Sequence, residues 1–135
     1  DFLLTAEAKS IPLVQEMARQ NGDAHYIVAR KGRKLYMDNP ICVGVKSITT
    51  EKDQKLYVDQ EEMEQMRGKR ILIVDDVIST GRSLQALEEI AAAAGADVVG
   101  KMAVLAEGDA ASRTDISYLE KLPLFNGKGE PLPFD

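Results

Sequence analysis

Tryptophan is missing from this sequence, and cysteine and histidine occur once each, as Cys42 and His25. A single cysteine excludes an internal disulfide and any metal centre made of clustered thiolates, and its neighbours Ile41 and Val43 assign Cys42 to packing. His25 stands directly ahead of an apolar run, which makes it a strand-edge residue. Positive charge is also scarce: 17 Lys and Arg stand against 22 Asp and Glu, a net charge of −5, which leaves no basic surface for nucleic acid. No apolar run reaches the length of a membrane span or of a signal peptide's hydrophobic region. A cytoplasmic protein that binds neither membrane nor nucleic acid is therefore expected. No repeat or low-complexity tract divides the sequence, and 44% hydrophobic residues over 135 positions are enough for one core. Residues 1–135 are read as one domain. Its first residue, Asp1, is not methionine and runs at once into apolar Phe2, so an N-terminal segment is expected to be missing.

What the sequence does contain centres on residues 70–83. Ile71 to Val74 are an unbroken aliphatic run, suited to a parallel strand buried on both faces, and the run stops at Asp75 and Asp76. Ser79, Thr80 and Gly81 then lead into a segment whose Leu84, Leu87, Ile90 and Ala91 recur at helical spacing, with Gly95 as its stop. A helix start offers free N–H groups and the positive end of a dipole to an anion, and open α/β sheets bind ligands beyond the carboxyl ends of their strands. A phosphate fits such a turn. Carboxylates can only accept hydrogen bonds, so the pair Asp75 and Asp76 calls for a ligand that also carries hydroxyls. A ribose 5-phosphate has both.

The rest of the chain builds around that unit. Phe2 to Leu4 form a first strand ending at Thr5 or Ala6, and a helix follows through Arg19, with Leu13, Met17 and Val14 as its buried stripe and Asn21-Gly22 as its stop. The intervening Glu7, Ala8, Lys9 and Ser10 are a second strand-to-helix turn, able to receive a second anion. Tyr26 to Ala29 form a strand that ends in Arg30, Lys31, Gly32, Arg33 and Lys34, a cation cluster better matched to a pyrophosphate than to nucleic acid in so acidic a domain. Ile41–Val45 and Leu56–Val58 are the strands of a hairpin, and Gln60 to Met66 a short helical or turn segment. Val98-Val99 and Met102–Leu105 give a further strand interrupted by Gly100 and Lys101, and Ile116–Leu122 the last, before an irregular Gly- and Pro-rich tail packed through Phe125. The fold expected is α/β: a mostly parallel open sheet with flanking helices and an appended β-hairpin.

Ile71 to Ser83 resembles, without a gap, the signature of the type I phosphoribosyltransferases: four hydrophobic residues, two acids and a Thr-Gly turn. A phosphorylatable receiver domain also ends an aliphatic strand in paired acids, but in its first strand, whereas this pair lies past the middle. The resemblance implies that Asp75 and Asp76 hold the ribose hydroxyls of phosphoribosyl pyrophosphate and that Ser79, Thr80, Gly81, Arg82 and Ser83 hold its 5-phosphate. It extends to the family's pyrophosphate loop, acid-Ala-Lys-Gly-Ile-Pro, which Glu7, Ala8, Lys9, Ile11 and Pro12 match. Ser10 departs from the Gly, in a loop where several members have a non-proline cis bond that a serine is expected to hinder. Arg30, Lys31 and Lys34 match the Arg-Lys and following Lys of the same site. Mg²⁺ is implied as bound with phosphoribosyl pyrophosphate, with no metal held by the protein alone. Residues from Ser47 to Lys55 would be a lid closing over the reacting centre, and the segment's Glu51 is the candidate catalytic residue near the base. Glu107, in the loop after the next strand, is the candidate base contact.

The implied reaction is transfer of a phosphoribosyl group to a purine, with a homodimer as the expected assembly. Adenine, giving AMP and pyrophosphate, is the first choice, because the Ala6–Leu13 loop, the Arg-Lys cluster and the long hairpin look like bacterial adenine phosphoribosyltransferases. Ser79 stands where the hypoxanthine and guanine branch has an aspartate. The xanthine branch is the nearest enzymatic alternative, and a non-catalytic regulator that senses phosphoribosyl pyrophosphate is the other. Part of the hood over the base is expected to belong to the missing N-terminal segment.

Overall fold

The computed structural model describes residues 1–45 and 54–134. Five strands form one parallel sheet in the order β2-β1-β5-β6-β7, made of Phe2–Ala6 (β1), Ile27–Ala29 (β2), Arg70–Ile78 (β5), Asp97–Glu107 (β6) and Ser117–Leu122 (β7). The remaining strands, Pro40–Val45 (β3) and Gln54–Asp59 (β4), pair antiparallel as the expected hairpin, which meets the sheet where Arg30 bridges Tyr57. The helices are Ile11–Asn21 (α1), Gln60–Met66 (α2) and Arg82–Ala94 (α3), and a 3₁₀ turn spans Gly108–Ser112.

Side-chain alternation along the central strands explains why they sit in the middle. Leu4, Ile71 and Ile73 point to one face, where Leu84, Leu87 and Ile90 of α3, Met63 and Met66 of α2 and Leu56 and Val58 of the hairpin close a single large core. Leu3 and Val74 point to the other face, beneath Val14 and Ala18 of α1. Each fully buried aliphatic side chain of this kind contributes about 1.5–3 kcal/mol, so the unbroken run Ile71–Val74 is stable only with cover on both sides. On α1 the buried residues are Val14 and Ala18, with Leu13 and Met17 half-buried beside them rather than forming the stripe's centre.

Four sequence expectations are corrected. Asp75 and Asp76 do not follow the central strand but lie inside it, because its ladder continues past them: Asp75 pairs with Ala103, Val77 with Leu105 and Ile78 with Ala106. Gly100 and Lys101 do not break β6. Ile71 pairs with Val98 and Leu72 with Gly100, so Val99 is the extra residue of a bulge, and a Cβ on Gly100 would lie 2.9 Å from Leu72 Cδ1. Cys42 is exposed, since the hairpin turns Ile41 and Val43 toward the core and Cys42 the other way, opposite Tyr57. Phe125 is also exposed, as is Leu124 beside it, whose side chain lies close enough to Gly108 that a Cβ there would meet it at 3.1 Å. The proposed lid falls on residues outside those described, Glu51 included, except that Gln54 and Lys55 belong to β4. Among the described residues, no helix is long and apolar enough to cross a membrane.

Candidate functional site

The carboxyl ends of β1, β2, β5 and β6 lie side by side, which brings both strand-to-helix turns and the cation cluster to one edge of the sheet. At the first turn the Glu7 amide donates to the Ala29 carbonyl at 2.9 Å, which carries the β1–β2 ladder one step into the loop. The Glu7–Ala8 peptide is cis with Ser10 in place, so the serine does not hinder that conformation. Glu7 turns its carboxylate toward the cluster after β2. It accepts the Lys31 amide at 2.6 Å and lies 3.4 Å from Lys34 Nζ and 3.5 Å from Arg30 Nη1. Burial pushes this carboxyl up, but the Lys31 amide, Lys34 and Arg30 together outweigh it and hold Glu7 below its ordinary value. An ionised Glu7 therefore gathers two of the four expected cationic side chains, those of Arg30 and Lys34, and ties down the backbone of Lys31, while Lys9 stays exposed on the loop. Ser10 is buried and its hydroxyl points inward, to Thr5 and to the Ala6 carbonyl.

The second turn is open where the first is filled. Asp75, Ser79, Thr80, Gly81, Arg82 and Ser83 help line a cavity of about 90 Å³ at the start of α3. Gly81 has φ 82°, a left-handed conformation natural only to glycine, and a Cβ there would stand 2.7 Å from Arg113 Nη1. Asp75 and Asp76 are half-buried, and the Asp76 amide donates to Asp75 Oδ1 at 2.8 Å. The Asp75 carboxyl is pushed up to about 7, first by burial and then by sharing a hydrogen bond with the Asp76 side chain and facing its charge, while the charge of Lys31 pulls the other way. Lys31 thus acts on both turns. Ser79 donates to Glu107 Oε1 at 2.9 Å, so this hydroxyl and the candidate base contact engage each other.

Helix capping separates these turns from the rest of the fold. α2 begins in the ordinary way, with Asp59 accepting the Gln60 amide at 3.0 Å and Glu61 and Glu62 in the first turn. Neither Ser10 at the start of α1 nor Gly81 at the start of α3 makes a side-chain cap bond, and neither helix has an acid in its first turn. The two helix starts that face the site thus present the positive ends of their dipoles with no acid beside them, the Ile11 amide donating to the Ala8 carbonyl at 3.2 Å and the Arg82 amide to Thr80 Oγ1 at 3.5 Å.

Two residues that the sequence did not single out belong to this edge. Thr5 is fully buried between the turns. Arg113 is held by Asp115 through Nε at 2.8 Å and Nη2 at 2.6 Å, and backs the Gly81 turn. Thr5 looks like one more strand residue in the sequence. Arg113 precedes β7, and only the β6–β7 pairing returns it to the signature turn. Among the described residues, no group of three or more His, Cys, Asp or Glu could hold a metal ion. The oxygens at hand, on Asp75 and Asp76, are hard donors of the kind Mg²⁺ takes when a ligand's phosphates complete its shell.

Residues 1–123 match the family model described as a phosphoribosyl transferase domain. The chain belongs to that family. The hypoxanthine/guanine phosphoribosyltransferase of Methanococcus voltae is 34% identical over 113 residues, covering 84% of this chain and 56% of the relative. The xanthine phosphoribosyltransferase of Bifidobacterium adolescentis is 30% identical over 101 residues, covering 74% of this chain and 51% of the relative. The chain therefore spans little more than half the length of these two curated relatives. Among solved structures, the adenine phosphoribosyltransferase of Thermoanaerobacter pseudethanolicus superposes with a TM-score of 0.72 at 19% identity, over 90% of this chain and 70% of that one. The likeness to it is one of fold.

Proposed function

We propose that this chain carries the phosphoribosyl pyrophosphate site of a purine phosphoribosyltransferase. The observation that carries the proposal is the pairing of the two uncapped helix starts at one sheet edge, one beside a cation cluster and one behind paired acids. In this reading the turn from Ser79 to Ser83 takes the 5-phosphate on its amides, and Asp75 and Asp76 accept hydrogen bonds from the ribose hydroxyls. Arg30, Lys31 and Lys34, arranged by Glu7, hold the pyrophosphate with Lys9 and the loop amides. A purine nitrogen forms the new bond to the sugar's anomeric carbon while the bond to pyrophosphate breaks, and the electron pair leaves with the pyrophosphate. The proton displaced from the base nitrogen passes to solvent. Asp75 and Asp76 would help hold Mg²⁺ together with the substrate, and the ion would supply positive charge against the charge that collects on the leaving group. The protein's own work is to align the two partners and to hold the negative charge that collects on the leaving group.

Adenine is the acceptor we propose first, with AMP as product in purine salvage, supported by the loop and hairpin resemblances and by a serine at position 79. The names of the relatives make hypoxanthine, guanine and xanthine the rival acceptors. The test is to incubate the chain with phosphoribosyl pyrophosphate, Mg²⁺ and each of the four purines, and to identify any nucleotide and pyrophosphate formed. AMP alone supports adenine, and a different nucleotide reassigns the base. Binding of phosphoribosyl pyrophosphate without product in any mixture moves the chain to the sensing class, and failure to bind it overturns the proposal.

A further inference from the structure

Between the two turns lies a buried chain of hydroxyls. Thr5, fully buried, and Ser10, at 1% exposure, approach each other to 2.6 Å between Oγ1 and Oγ. Thr5 Oγ1 also stands 2.6 Å from the Val74 carbonyl, and Ser10 Oγ 3.0 Å from the Ala6 carbonyl. Three contacts are thus served by two hydroxyl protons. Two oxygens this close need a proton between them. Because the Thr5–Val74 contact is equally short, Thr5 donates to the Val74 carbonyl and Ser10 donates to Thr5, and the 3.0 Å approach of Ser10 Oγ to the Ala6 carbonyl carries no proton. The hydroxyl pair is thus the hinge pin between β1's loop and β5. Val74 is the residue before Asp75, and Ser10 closes the loop that starts at Glu7, so the chain joins the strand holding the acids to the loop facing the cations.

We infer that Thr5 and Ser10 are positioning residues that set the Glu7–Ser10 loop at a fixed distance from the acid pair, so that one ligand spans both anion turns. The inference rests on the proposed reading of the site as a phosphoribosyl pyrophosphate site. It also gives Ser10 a role that glycine could not fill: a glycine here leaves Thr5 with one partner fewer and the loop tied to β5 by backbone alone. Neither hydroxyl touches the ligand. Their effect falls on the pyrophosphate end, because the loop moves, and spares the 5-phosphate end, which is held by the Gly81 turn on the far side of β5.

The experiment compares Thr5→Val, Thr5→Ser and Ser10→Ala with the unaltered chain, using calorimetry with inorganic pyrophosphate and Mg²⁺ in one series and ribose 5-phosphate in the other. Thr5→Val and Ser10→Ala should each weaken pyrophosphate binding about tenfold, the scale of one lost buried hydrogen bond, with ribose 5-phosphate binding within about twofold. Thr5→Ser should restore pyrophosphate binding. Should Thr5→Val fail to fold, Ser10→Ala and Thr5→Ser carry the comparison. Unchanged pyrophosphate binding in the folded variants overturns the inference alone, as does an equal loss for both ligands, which a general loosening would give. If the unaltered chain binds neither ligand, the site reading falls and this inference with it.

Discussion

The two strand-to-helix turns, Glu7–Ser10 after β1 and Ser79–Ser83 after β5, are built to one plan and furnished in opposite ways. The first has its interior filled by the Thr5 and Ser10 hydroxyls, and its charge comes from outside, from Arg30 and Lys34 around Glu7. The second keeps a cavity of about 90 Å³ lined by its own amides and hydroxyls, with carboxylates rather than cations on the strand leading into it. A turn of amides discriminates by shape and suits a compact monoester, whereas a ring of long cationic side chains tolerates a larger anion that must later depart. The difference teaches that the helix start supplies the anion preference in both, and the neighbouring strand decides which anion.

The widest gap between the turns should open when the acids are neutralised. Asp75→Asn with Asp76→Asn, measured at pH 8, should cost about 1.5–3 kcal/mol for each charge-assisted bond to a hydroxyl. Ribose 5-phosphate binding then falls on the order of a hundredfold to ten-thousandfold, and inorganic pyrophosphate with Mg²⁺ hardly changes. Because both residues sit inside β5, Asp75 paired with Ala103 and Asp76 next to it, the thermal melting point must be measured beside the affinity. A melting point that holds with an affinity that also holds would remove the ribose assignment.

Gly81 tests the amide turn itself. An alanine there must either keep the left-handed conformation, at about 1–2 kcal/mol, or leave it and turn amides out of line. Its Cβ would also meet Arg113 Nη1, which Asp115 holds from two sides. Losing one amide bond to a charged phosphate costs about 1.5–3 kcal/mol. We expect ribose 5-phosphate binding to drop by roughly tenfold to a hundredfold and pyrophosphate binding to persist. A variant that binds ribose 5-phosphate as before would put the 5-phosphate somewhere other than this turn.

Much of this architecture was legible because it depends on neighbours in sequence. The run Ile71–Val74, the Thr80-Gly81 turn and the helical spacing from Leu84 to Ile90 specify strand, turn and helix locally, and the cations after β2 lie together in the chain. What escaped depends on register and on distant pairing. Cys42 shares its run with Ile41 and Val43, and only the hairpin's orientation over the core decides that it is the one turned outward. Glu7 resembles a ligand-facing acid until β2 sets the Lys31 amide and two cations around it. Thr5 is an unremarked strand residue until β5 brings Val74 within hydrogen-bond distance. The strand's extension past Asp75 was hidden because acids normally end a buried run, and here β6 supplies ladder partners that keep them in the sheet.

The smallest expected effect is the most specific, since it separates the turns by pH. Asp75's carboxyl is raised from 3.8 to about 7 in the folded, ligand-free chain. Between those values the folded state holds a proton that the unfolded state has lost, so this group's contribution to stability declines as pH rises from about 4 to 7 and is level above that. Binding runs the other way: only the ionised carboxylate accepts bonds at both oxygens, so affinity for ribose hydroxyls grows as pH rises through 7. A phosphate monoester titrates near pH 6 on its own account, and the protein's share is therefore the ratio between the unaltered chain and Asp75→Asn. At pH 6 the unaltered Asp75 is mostly protonated and the two should bind ribose 5-phosphate nearly alike. By pH 8 the ratio should have grown about tenfold, as one proton titrating near 7 requires. Glu7, held below its ordinary value at the other turn, is ionised throughout this range, so Asp75→Asn should leave the pH profile for pyrophosphate as it was. A ratio that stays flat from pH 6 to 8 would mean that Asp75 is already ionised before the ligand arrives.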